Sequence, residues 1–71
     1  MALTWSEVDE QLTYHSMSTE QLTRSMLIRE AAKDFAQTVL YNTPSSADQS
    51  AAIRHIREAL MTANAAIALE K

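Results

Sequence analysis

The sequence predicts an all-α fold: a short N-terminal helix followed by an antiparallel two-helix hairpin, assembled into a homo-oligomer. Three observations predict it. Glycine is absent and Pro44 is the one proline, so capping residues carry the punctuation of the chain. Thr4-Trp5-Ser6-Glu7, Ser18-Thr19-Glu20-Gln21 and Ser46-Ala47-Asp48-Gln49 each have the form of a capping box, with a hydroxyl placed to accept from an N3 amide and Glu or Gln placed to reach back. Apolar residues late in the chain recur at alternating spacings of three and four, the helical period.

The first box opens a helix over about residues 5–12, with Trp5, Val8 and Leu12 on one side. Tyr14-His15-Ser16-Met17 forms a connector. The second helix runs over about residues 19–41 and stops at Asn42-Thr43-Pro44-Ser45, because Pro44 restricts Thr43 and cannot donate to the helical ladder. The third covers about residues 47–69. A short turn between helices of similar length makes an antiparallel hairpin. Ile53, Ile56, Leu60, Ala63 and Ile67 give the seam of the third helix, and Ile28, Ala32, Phe35 and Val39 the facing stripe of the second. The length, 71 residues, allows one domain spanning residues 1–71.

These two stripes leave much of the third helix unexplained. From Ala59 to Leu69 no face carries a charge, and Ala59, Ala63, Ala65, Ala66 and Ala68 would let another helix approach closely, which implies an interface with a neighbouring chain. Size argues the same way. A chain this short buries only about 60% of its unfolded surface. It has no cysteine for a disulfide and only His15 and His55 as nitrogen ligands, so self-association is the remaining source of stability. Asn64 falls on a flank with Arg57, Met61 and Ala68. It either sets register, or pairs with its copy across an interface, or lines a ligand pocket; spacing favours the protein-partner readings, since buried amides most often bond protein groups.

With 46% apolar and 21% charged residues the chain is not disordered as a whole. A net charge of −3 argues against DNA or RNA as partners, because broad phosphate binding needs many cations. A small anion held by two or three local cations is compatible with it. The lack of cysteine fits a reducing compartment, Met1-Ala2-Leu3-Thr4-Trp5 has no signal-peptide features, and no apolar run reaches the length of a membrane span, so the expected location is the cytoplasm.

Catalytic constellations are missing. There is no His-Glu-x-x-His, no cysteine nucleophile and no glycine-rich phosphate loop, and Asp9 and Glu10 point to different helix faces; an enzyme is not expected, nor a cofactor or metal. Arg29 and Lys33 stand one turn apart beside Leu22 and Met26. The ordinary reading is a solvated face shared with Glu30 and Asp34. Tyr14 and His15 precede a helix start, where amide donors favour an anion, and Tyr14 with Arg29 could supply a base-stacking ring and a phosphate fork. Arg54 and Arg57 read as solvated, with Glu58 near both.

Tyr14-His15-Ser16-Met17-Ser18-Thr19-Glu20-Gln21, Ile28-Arg29-Glu30-Ala31-Ala32-Lys33, Pro44-Ser45-Ser46 and Glu58-Ala59-Leu60-Met61-Thr62-Ala63-Asn64-Ala65-Ala66-Ile67-Ala68 together resemble the small phage hairpin proteins that include the anti-CBASS cyclic-nucleotide sponges. The resemblance covers about residues 12–69, and the final motif is its most specific part. It implies an oligomer of helical hairpins, a hexamer in the characterised sponges, acting in the cytoplasm of the infected bacterial host. Such a protein holds cyclic di- and trinucleotide immune signals without cleaving them, so that the effector stays unactivated. By the same resemblance Tyr14 is the base-stacking tyrosine and Arg29 the phosphate contact, with Lys33 and Asn64 carried over as further ligand-binding residues. Many relatives have an aromatic residue where this chain has Thr62. The reading from another class is a structural or adaptor helical oligomer without a small ligand.

Overall fold

A computed structural model describes residues 2–70; the two ends of the 1–71 span, Met1 and Lys71, lie outside it. Three helices and no strand occur among the described residues: α1 Trp5–Leu12, α2 Thr19–Asn42 and α3 Ala47–Ala68. The long helices differ from the sequence expectation by one residue each. Asn42 remains helical and its side-chain amide donates to the Thr38 carbonyl at 2.7 Å. Leu69 is the C-cap of α3, with its N–H bonded to the Ala65 carbonyl.

All three N-cap hydroxyls act as expected, accepting from the amides of Glu7, Gln21 and Gln49. The reciprocal half of the box forms at Ser18, whose amide donates to Gln21 Oε1 at 2.8 Å. At Thr4 the Glu7 side chain does not reach back, and at Ser46 the expectation fails as well. Gln49 turns its amide away from the cap and donates to the carbonyls of Leu40 and Thr43 at 3.2 and 3.1 Å. Those carbonyls are left without helical partners where α2 ends at Pro44, so the glutamine satisfies the C-terminus of α2 instead of the N-terminus of α3.

At the open end of the hairpin Gln21 does the converse. Its Nε2 donates to the Ile67 carbonyl of α3 at 3.0 Å while its Oε1 caps α2. The antiparallel arrangement places an N-terminus with spare donors beside a C-terminus with spare acceptors, and one amide serves both. Arg24 bonds Glu70 beyond the end of α3 and lies 3.7 Å from Glu20.

The register is set between these ends by Ser25 and Asn64, joined at 2.7 Å. From Gln21 and Ile67 to Ser25 and Asn64 the chain moves one turn forward on α2 and one turn back on α3. Continuing, Ile28, Ala32, Ala36 and Val39 are half-buried against half-buried Ile53, Ile56, Leu60 and Ala63. Phe35 departs from the expected stripe and is 60% exposed. Ala32 and Ala36 form the close contact instead, because small side chains let the helix axes approach and displace the bulky ring to the flank.

The isolated chain has little interior. Ile67 is the one buried hydrophobic residue among those described and Ser25 the one buried polar residue. The long helices pack on each other, while α1 stands off the pair with Trp5 74% and Leu12 78% exposed. The radius of gyration is 15.2 Å, against about 11 Å for a compact chain of this length. The accessible surface is 5819 Å², against roughly 4,400 Å² for a compact monomer of this mass.

Candidate functional site

Two open grooves follow the α2–α3 seam on its opposite flanks. One, of about 530 Å³, is lined by Ile28, Ala31, Phe35, Ala52, His55 and Ala59 among others and is almost wholly apolar. The other, about 260 Å³, has a floor of Ala32, Ala36, Ile53, Ile56 and Leu60 and a rim of Arg29, Lys33 and Arg57. The larger groove suits packing against protein. Both grooves expose almost wholly apolar surface, and the smaller differs in having the side chains of Arg29, Lys33 and Arg57 among its walls, so that long cation-bearing side chains border an apolar bed.

Arg29 and Lys33 reach this rim because they lie four residues apart on α2 and flank Ala32. Lys33 Nζ is 3.7 Å from Glu30 Oε1, an exposed pair that water and salt screen. Arg29 and Arg57 have no ion pair among the described residues. Glu58, expected beside Arg57, is instead 3.7 Å from His55 Nδ1, one turn back on α3.

Arg24 is hydrogen-bonded to a carboxylate across the hairpin, at Glu70. Its hydrogen bond to Glu70 raises its pKa, and the same contact, helped by Gln21, holds the Glu70 carboxyl below the usual carboxylate range. Tyr14 lies in the connector between α1 and α2, is 88% exposed and is not among the residues that line the groove. The connector is tied to α1 at the next residue, where His15 Nε2 meets the Glu10 carbonyl at 2.6 Å. Asn64 is half-buried in the seam, with its Oδ1 accepting from Ser25.

Over residues 6–68 the chain matches the family model described as Acb2/Tad1, hairpin domain. The chain belongs to this family. No curated protein and no solved structure matches it. The Acb2/Tad1 hairpin domain is that of the anti-CBASS sponges, phage proteins that bind cyclic oligonucleotides, and at the family level this gives a binding role. The matched span takes in most of α1, the connector and the whole hairpin.

Within the Acb2/Tad1 hairpin, Arg29 and Lys33 come together in one groove, and Tyr14 and Asn64 stand outside it. Arg57, read from the sequence as solvated, is exposed and also lines this groove. A signal was present: Arg57 lies one heptad before Asn64 on the same flank. Only the register turns that flank toward Arg29. No helix is long and apolar enough to cross a membrane, and no group of three or more His, Cys, Asp or Glu that could hold a metal occurs among the described residues.

Proposed function

We propose that this chain is a phage anti-CBASS sponge that binds cyclic di- and trinucleotides and holds them uncleaved in the cytoplasm of the infected host, withholding them from their effector. The observation that carries the reading is the α2–α3 groove: Arg29 and Lys33 together line an apolar trough in a chain of family-level cyclic-oligonucleotide binders. Arg29 is the phosphate contact and Lys33 adds field. Tyr14, exposed beside the start of α2, stacks on a base. Asn64 keeps its Oδ1 on Ser25 and offers its Nδ2 to the ligand or to a neighbouring chain.

Residues 1–71 act as one hairpin domain, and the working form is a homo-oligomer, a hexamer by analogy with the characterised sponges. Its support is the meagre interior of the single chain together with the excess surface, much of it apolar: Phe35, the alanine-rich face of α3 and the large groove. Symmetry duplicates Arg29 and Tyr14, which matches a ligand with two phosphates and two bases.

A thermal-shift panel tests the reading. A ligand that binds only the folded state must stabilise it, so at least one cyclic di- or trinucleotide should raise Tm. Ligand recovered by heat after hours with excess protein should return intact and again activate its effector. No shift at concentrations well above micromolar would favour a structural or adaptor oligomer, and linear products abolished by a chelator would favour a metal-dependent phosphodiesterase.

A further inference from the structure

We infer that Arg57 is a second phosphate contact, set on α3 across the groove from Arg29 and Lys33, so that one phosphodiester is gripped between the two helices of the hairpin. This rests on the reading of the chain as a cyclic-oligonucleotide binder.

The register carries the first step. Ser25 meets Asn64 in the seam, so one heptad forward on α2 and one heptad back on α3 bring Ala32 opposite Arg57. Arg29 and Lys33 flank Ala32 on the same side, and all three cations line one groove. Charge carries the second. The chain has six Lys and Arg residues and a net charge of −3, yet half of its cations converge here. Neither arginine has a carboxylate partner among the described residues, and the nearest acid in sequence to Arg57, Glu58, is engaged by His55.

Shape carries the third. Ala32 and Ala36 keep the floor low, so an anion can settle between the helices, and the apolar floor leaves its oxygens to the rim. A phosphodiester has two non-bridging oxygens. A guanidinium fork from each helix can approach it from opposite sides, whereas Arg29 and Lys33 on α2 approach it from one.

Calorimetric titration with cyclic di-AMP and cyclic tri-AMP as probes tests the grip. Arg57→Ala should weaken binding of at least one probe by about 10- to 100-fold, the range for a hydrogen bond to a charged group, with helical content unchanged. Arg57→Lys, which keeps charge and stem, should recover only part of the loss, because a point charge does not reproduce the fork. Arg29→Ala with Arg57→Ala should lose less than the product of the single losses, since both grip one group. Arg57 variants that bind within twofold of wild type while Arg29→Ala is weakened would overturn the inference and leave the sponge reading standing. Losses that multiply independently would overturn the shared phosphodiester. Wild-type protein that binds neither probe would remove the inference along with the reading beneath it. Should Arg57→Ala fail to fold, the lysine variant decides alone, and wild-type affinity in it counts against the grip.

Discussion

Ser25 Oγ donates to Asn64 Oδ1 at 2.7 Å, joining two residues 39 positions apart across the α2–α3 seam. Ser25 is only 6% exposed, so the bond lies where a lost partner is not replaced by bulk water. It pins the register that places every groove residue, in the way a buried asparagine pins a coiled coil.

Ser25→Ala should therefore cost about 1–3 kcal/mol, because it leaves the Asn64 carbonyl without its donor in a half-buried site. Asn64→Ala should cost a similar amount, and the double variant less than the sum, since either change alone strands the other partner. Urea denaturation at fixed protein concentration reads all three. Fully additive losses would mean that the two side chains act independently.

The Arg24–Glu70 contact predicts a pH dependence. Glu70 is held below its ordinary value of 4.5, first by the Arg24 hydrogen bond and then by that from Gln21. A carboxylate with a depressed folded-state pKa contributes stability above its unfolded value and loses it as pH falls through the folded one. The advantage of wild type over Glu70→Gln should thus be constant near neutral pH and shrink below about pH 4.5, while Arg24 stays protonated throughout. High salt should reduce it, the pair being partly exposed. An advantage that grows on acidification would have the wrong sign for this pair.

Ligand contacts separate by residue. Arg29→Ala should weaken cyclic dinucleotide binding by about 1.5–3 kcal/mol with the oligomer intact, and Tyr14→Ala should lose about 1–3 kcal/mol of stacking. Arg54 is exposed and lines neither groove, so Arg54→Ala should leave affinity unchanged. Wild-type affinity in both the Arg29 and Tyr14 variants would reject the assignment of these two residues.

Light scattering should give a mass several times the 7.9 kDa of one chain at micromolar concentration. Phe35→Asp, which puts a charge into the apolar groove, should lower that mass. A folded monomer of wild type would remove the oligomer and any ligand site shared between copies.

Helix boundaries were legible in the sequence because they are local decisions. A capping hydroxyl finds its amide three residues away, as at Ser18 and Gln21, and Pro44 stops a helix through its own ring. The hairpin followed from the short turn, and Arg29 and Lys33 were legible as a pair because four residues make one helical turn. What the tertiary structure alone decided are relationships between residues far apart in sequence. It gave Asn64 to Ser25, turned Gln49 onto the end of α2, set Gln21 on Ile67, moved Phe35 out of the seam and brought Arg57 round to face Arg29. Periodicity fixes which residues share a face of one helix, but the rotation and register of that helix against its neighbour come from which small and polar side chains pack best between them.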